Sequence, residues 1–365
     1  MRLGIIGSGQ LAQMMAHAGK PLGISFAFAA ESKDGAIPVE GLGDIVMING
    51  DETAEQLFNA MGQPDVVTVE KEDVNIPLLK DMQQFCRVAP NPDAVLVTQN
   101  REREKTYLRD LGIPTVGFAM AESIADIEKA VEELGFPVIV KSVEQGYDGK
   151  NQWRLKTQDD IAEFANHYDG ARVIVEQWVK FTGEVSMIAA RSVSGNKAFY
   201  PLTENCHKNG ILLTSKTPAS DWAIELDSVA QDYLLKLMDK MDYVGVLAME
   251  CFVVDGKLLV NELAPRVHNS GHWTQEGCEA SQFENHLRAI FDMPLGNTKR
   301  KTPTAMLNLL GVKVTSDDVD IDSAVVHWYN KSVRPGRKVG HINITKTDSV
   351  DPFEVLERLE KQFYQ

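Results

Sequence analysis

The sequence predicts a mixed α/β and α+β chain in three parts: an N-terminal parallel sheet under covering helices, a pair of α+β units, and a small C-terminal lobe. Three observations carry this reading. Residues 1–98 alternate strand-like and helix-like segments, the pattern of a parallel sheet. Short helices and strands then surround a glycine-rich loop, Glu144-Gln145-Gly146-Tyr147-Asp148-Gly149-Lys150. From Glu184 onward the pattern turns β-rich. The expected divisions are 1–98, 99–294 (with an outlying unit over 115–180) and 295–365.

Taken in order, 3–6 reads as a buried strand. Gly7-Ser8-Gly9 turns it into a helix with Leu11, Met14, Met15 and Ala18 on one face. Strands follow over 24–29, 44–48 and 65–69, with a helix over 53–61. A helix over 101–111 stops at Gly112, with Pro114 just beyond. The next block reads helix 124–134, strand 137–141, strand 152–155, helix 159–167 and strand 172–176. Strands 184–190, 198–201 and 211–214 lead to a helix over 228–241 and an apolar hairpin turning at Asp255-Gly256. Short strands and a helix over 352–363 end the chain.

With 365 residues, 44% hydrophobic and 24% charged, the chain belongs to the ordinary soluble globular class and can bury a full core. A net charge of −15 argues against a general nucleic-acid binder. It leaves room for a local basic pocket, and Arg334-Pro335-Gly336-Arg337-Lys338 is one. Cys86, Cys206, Cys251 and Cys278 are widely spaced with no C-x-x-C pair, which disfavours zinc and disulfide frameworks. No apolar run reaches membrane-spanning length and no signal-peptide pattern opens the chain. A cytoplasmic chain with neither membrane nor nucleic acid as partner is expected.

Gly4-x-x-Gly7-x-Gly9 lies at a strand-to-helix turn, with Ala12 where G-x-G-x-x-G has its third glycine and Glu31 after the second strand. It admits a plain tight turn, a ligand-facing turn or a nicotinamide site. Lys141 alone could snorkel to solvent. The glycine loop after it favours a triphosphate clamp, because glycines let backbone N–H groups approach phosphate closely. Glu176-Gln177-Trp178-Val179, with Glu184, is either a solvated hinge or an adenosine site. Trp273 and Trp328 read as core.

Glu250 and Glu262 end apolar strands, where an unpaired carboxylate is costly. Such a pair suits a hard divalent cation that bridges to phosphate. The hairpin sets a condition on this. A two-residue turn pairs Val254 with Lys257, so an unbroken ladder would put Glu250 opposite Asn261 and Glu262 on the other face. A shared ion therefore requires an odd-length loop at 255–257, with Gly256 or Lys257 at positive φ, or a bulge in the hairpin. His268, Asn269 and His272, after Arg266, suit a polar substrate pocket better than zinc. His207 is ambiguous on its own.

Together these residues resemble the ATP-grasp superfamily. The resemblance runs through Gly7-Ser8-Gly9-Gln10-Leu11, Gly146-Tyr147-Asp148-Gly149, Val175-Glu176-Gln177, Phe181-x-Gly183-Glu184-Val185-Ser186, Asn261 through His272, and Arg334 through Lys338. The His268–His272 and Arg334–Lys338 runs are its specific parts, while glycine loops and paired glutamates are shared by the superfamily. Within the superfamily the chain resembles the 5-(carboxyamino)imidazole ribonucleotide synthases. The resemblance implies an ATP-grasp fold behind a Rossmann-like pre-ATP-grasp domain. It also implies a homodimer, ATP and magnesium as cofactors, and bicarbonate-dependent carboxylation of aminoimidazole ribonucleotide. By the same resemblance, Arg101, Lys141, Gly146, Tyr147, Asp148, Gly149, Lys150, Asn151, Gln152, Glu176, Gln177, Trp178, Val179, Glu184, His207, Asn261 and Glu262 line the ATP site. Glu250 and Glu262 bind the metal. Glu70, Tyr147, Arg266, Lys331, Arg337 and Lys338 meet the ribonucleotide. Asp148, Arg266, His268 and Asn269 are the expected catalytic groups, with Asp148 the candidate acceptor of the amine proton. Lys150 and Asn151 depart from the expected arginine and glycine. A formate-using ATP-grasp enzyme, a nicotinamide oxidoreductase and a catalytically silent nucleotide-binding module are the alternatives.

Overall fold

The computed structural model describes residues 1–144, 152–319 and 322–364. The N-terminal sheet contains β1 (Arg2–Ile6), β2 (Ser25–Ala30), β3 (Asp44–Met47), β4 (Val66–Val69) and β5 (Arg87–Val88), in the order β3-β2-β1-β4-β5. All neighbours are parallel. Strands buried on both faces should be continuously apolar, and Leu3, Ile5, Phe26 and Phe28 are almost wholly enclosed.

A second, antiparallel sheet has the order β6-β9-β7-β8, from β6 (Phe118–Ala121), β7 (Val138–Ser142), β8 (Gln152–Leu155) and β9 (Val173–Gln177). The third sheet has nine strands among the described residues. They are β10 (Gly183–Arg191), β11 (Lys197–Phe199), β12 (Thr203–Lys208), β13 (Ile211–Thr217), β14 (Gly245–Val254), β15 (Lys257–Ala264), β16 (Thr304–Leu310), β17 (Ala324–Trp328) and β18 (Lys338–Thr345). β13 pairs with β16, so the C-terminal strands extend this sheet. No helix among the described residues is long and apolar enough to cross a membrane.

The first and third sheets share a core. Leu11, Met14 and Met15 of the helix Gln10–Gly19 cluster with Phe283, Leu287 and Ile290 of the helix Gln282–Ile290. Each such buried side chain stabilises by about 1.5–3 kcal/mol. His286 fastens the same junction. Its Nδ1 accepts from Val246 N–H of β14 at 3.1 Å, and its Nε2 lies 2.9 Å from Thr68 Oγ1 of β4. Burial pushes its pKa down to about 4, so the ring is neutral and Nε2 carries the proton.

The expected elements form within a few residues of their expected bounds, as with Arg101–Asp110, Ile124–Leu134 and Pro352–Tyr364. Trp273 is core, and Trp328 packs against the C-terminal cluster. The strand Thr203–Lys208 is not anticipated by the sequence reading. Its residues Thr-Glu-Asn-Cys-His-Lys show no apolar alternation, because Asn205 is buried among hydroxyls. Its amide donates to Ser186 Oγ at 2.8 Å and accepts from Ser215 Oγ at 2.7 Å.

Candidate active site

The carboxylate hairpin satisfies the condition for a shared ion through a bulge. Its turn has two residues, Asp255 at φ 49° and Gly256 at φ 71°, and Val254 pairs with Lys257. The odd-length loop therefore does not form. The register instead shifts between Glu250 and Cys251: Cys251 pairs with Val260, and Glu250 with Glu262. Asn261 is the extra residue, and it brings both carboxylates to one face.

Glu250 is buried, and its Oε1 has no hydrogen-bond partner. Burial, and then the charge of Glu262, raises its pKa to about 7. His207 Nε2 lies 3.9 Å from Glu250 Oε2, and its Nδ1 lies 2.9 Å from Glu184 Oε2. Burial depresses the His207 ring, but the Glu184 hydrogen bond and the Glu250 charge outweigh it and raise its pKa. Glu184, Asn205, His207, Glu250 and Asn261 line one cleft.

This donor set fits magnesium. It offers hard oxygen atoms, one of them buried without a partner. Among the described residues, no group of three or more His, Cys, Asp or Glu side chains could hold a metal ion. Magnesium needs none, since it commonly takes one or two carboxylates and completes its shell with phosphate oxygens and water.

The residues expected around the nucleotide gather beside this cleft. Lys141 lies one residue before the end of β7, with Nζ 2.5 Å from Glu176 Oε2. Burial would raise the Glu176 carboxyl, but Lys141 and Lys105 hold its pKa below the ordinary value. Arg101 opens its helix behind the N-cap Asn100 and donates to Ser142 O at 2.8 Å. Gln177 and Trp178 leave β9 along the hinge, where their N–H groups bond Gly117 O and Pro137 O at 2.8 and 3.1 Å. Val179 follows, half-buried, and Gln152 opens β8 exposed, opposite Lys141. Gly146, Tyr147, Asp148, Gly149, Lys150 and Asn151 lie outside the described residues.

A second group gathers cations and donors. Arg266 Nη2 lies 2.7 Å from Glu72 Oε1, a partner the sequence reading missed. Asn269 is buried with neither side-chain nitrogen nor oxygen bonded. Burial and then Arg266 hold His268 well below its usual pKa. Its Nδ1 accepts from Ser270 N–H at 3.2 Å, which leaves the proton of the neutral ring on Nε2. Lys331 donates to Gln10 Oε1. Burial lowers the pKa of Lys331 to about 8, with Arg337 and Lys338 adding to the effect against the pull of Glu70. Arg337 itself donates to Ser332 Oγ at 2.6 Å.

Glu70 decides the use of the N-terminal glycines. Its carboxylate accepts from Gly9 N–H at 2.6 Å and Ala12 N–H at 2.9 Å. Those are the donors a dinucleotide pyrophosphate would need. A Cβ on Gly7 would collide with Glu70 Cγ, and one on Gly9 would come within 2.8 Å of its Oε1. The glycines make room for a carboxylate of the chain itself, which removes the nicotinamide reading.

A paired-carboxylate hairpin, a hinge with a buried Lys–Glu pair, and a four-stranded antiparallel unit together define an ATP-grasp protein. Residues 106–283 match the ATP-grasp domain model, 1–99 the ribonucleotide synthetase preATP-grasp domain, and 304–352 the phosphoribosylaminoimidazole carboxylase C-terminal domain. An N5-carboxyaminoimidazole ribonucleotide synthase from Pseudomonas aeruginosa is 42% identical over 350 residues, 95% of each chain. The crystal structure of the Thermus thermophilus synthetase is 39% identical with TM-score 0.92, covering 100% of this chain and 99% of that one. A synthase from Aspergillus clavatus, in complex with ADP and 5-aminoimidazole ribonucleotide, is 28% identical with TM-score 0.87, covering 99% and 97%. The chain belongs to the N5-carboxyaminoimidazole ribonucleotide synthase family.

Proposed function

We propose that the chain carboxylates the amine of 5-aminoimidazole ribonucleotide with bicarbonate and ATP, giving the N5-carboxyamino ribonucleotide, ADP and phosphate, a step of purine biosynthesis. The observation that carries the reading is the Glu250–Glu262 pair, set face to face by the bulge beside the Lys141–Glu176 hinge.

Bicarbonate is a poor electrophile. Attack of its oxygen on the γ-phosphorus breaks the bond to ADP and forms carboxyphosphate. Loss of phosphate then leaves carbon dioxide beside the amine. The nitrogen–carbon bond forms as a proton leaves nitrogen. Phosphoryl transfer depends mainly on positioning and charge neutralisation. Arg101 and Lys141 steady the phosphates in this reading. The hinge 176–179 meets the adenine edge, and Glu184 with His207 meets the ribose. Glu250 and Glu262 would hold magnesium, which would supply charge neutralisation at the phosphate oxygens.

Arg266, Asn269 and the Nε2–H of His268 would hold the oxygens derived from bicarbonate. Glu70, Lys331, Arg337 and Lys338 would hold the ribonucleotide. Asp148, as acceptor of the amine proton, and Tyr147 enter through the family resemblance alone. That resemblance also supports a cytoplasmic location and a homodimer; sedimentation tests the dimer. The reaction is tested with carbon-labelled bicarbonate: the label should enter the product on the exocyclic nitrogen, only with ATP present. Label remaining in bicarbonate while ATP is consumed would overturn the assignment.

A further inference from the structure

Glu262 opposes Glu250 only because β15 carries an extra residue, and the bulge must be held in place. β15 is the edge of its sheet. Backbone groups turned away from β14 would otherwise lack partners, which is costly where they are buried. The helix Arg101–Asp110 and the segment after it supply those partners. Val260 N–H donates to Pro114 O at 2.8 Å. Val260 C=O accepts from Thr115 Oγ1 at 2.8 Å and from Lys105 Nζ at 3.2 Å. Asn261 C=O accepts from the same Nζ at 2.8 Å. Leu263 N–H donates to Glu104 Oε1.

Lys105 thus holds the bulge on one side of Glu262, and Glu104 holds it on the other. Both side chains are enclosed, Lys105 at 1% and Glu104 at 3% exposure. Lys105 Nζ also bonds Thr115 Oγ1 at 2.8 Å and lies 3.7 Å from Glu176 Oε1, which ties the bulge to the hinge. Buried charged residues are weak evidence for stability, and their best-attested use is to specify register.

We propose that Glu104 and Lys105 are positioning residues for the magnesium site, locking the Asn261 bulge in the register that sets Glu262 against Glu250. The inference rests on the metal reading of that pair. It goes beyond it by assigning a task to two side chains whose contacts are with the backbone of β15, Thr115 and Glu176.

The test uses the full chain and ADP as probe. Calorimetry gives the ADP affinity in EDTA and in saturating magnesium, and the ratio is the magnesium enhancement. Glu104→Ala and Lys105→Met should each cut that enhancement about tenfold, the size typical when the support of a metal ligand is removed. Glu104→Gln should keep it, because the amide oxygen still accepts from Leu263 N–H. Thr115→Val, a small deletion that should fold, should cut it about threefold, by weakening one part of the same support. For Glu104→Ala and Thr115→Val the affinity in EDTA should not change. Glu262→Gln is the control and should lose the enhancement. If it does, and Glu104→Ala and Thr115→Val keep theirs, the positioning role is wrong. Equal losses with and without magnesium would also overturn it, by making the pair general supports of the fold. Enhancement retained in Glu262→Gln would instead sink the metal reading beneath it. Should Glu104→Ala or Lys105→Met fail to fold, Thr115→Val and Glu104→Gln decide.

Discussion

Glu250 lies directly opposite Glu262 across β14 and β15, although their spacing and the two-residue turn would set them on opposite faces in an unbroken ladder. The single bulge at Asn261 reconciles turn and site. Glu250 supplies the buried carboxylate and Glu262 the exposed one. The two carboxylates would together hold the magnesium that neutralises phosphate charge.

Glu262→Gln should leave the fold intact, because the side chain is exposed. Turnover should fall by at least about a hundredfold, the scale of losing one electrostatic group at a reacting centre. Steady-state kinetics at saturating magnesium checks this. Near-normal turnover would remove Glu262 from the metal site.

Glu70→Ala should destabilise the chain by about 0.5–2 kcal/mol, the range for losing a helix N-terminal acceptor. The N–H groups of Gly9 and Ala12 lose their carboxylate together. Urea unfolding measures the change. Unchanged stability would mean that solvent replaces Glu70 at no cost, and that its role is confined to the ribonucleotide.

Lys331 gives a pH dependence. Its pKa is lowered to about 8 by burial, so it is a cation at neutral pH and loses its charge as pH rises through that value. The KM for the ribonucleotide should therefore rise on the alkaline side, with kcat less affected. Arg337→Ala should raise KM at neutral pH by removing a phosphate contact. It should also move the inflection to higher pH, since a neighbouring positive charge no longer opposes protonation of Lys331. A flat KM profile, or a loss confined to ATP, would show these cations to be misplaced.

Much of this was legible from periodicity and turn chemistry. The apolar strands of residues 1–98 announced the parallel sheet, and Asp255-Gly256 announced the hairpin. Glu250, Glu262 and Lys141 stood out because each is a charge set in or at the end of an apolar run, although Glu250 lies in the middle of β14 and not at its end. The bulge was deducible only as one of two ways to satisfy the site, because register depends on partners distant in sequence. Lys105 and Glu104 escaped notice for a related reason. In Arg-Glu-Arg-Glu-Lys they look like a solvated helix face, yet with Leu108 they form the buried one. Glu72 was missed because its partner Arg266 comes from another domain. Glu70 was expected at the ribonucleotide, but nothing in sequence marked it as the acceptor for the glycine turn.

The most direct measurement is phosphate release from ATP with bicarbonate, with formate, and with no added acid, each with and without aminoimidazole ribonucleotide. Rapid release that requires both the ribonucleotide and bicarbonate, with one carboxylated product per phosphate, is the expected result. Release driven by formate, or indifferent to the ribonucleotide, would contradict it.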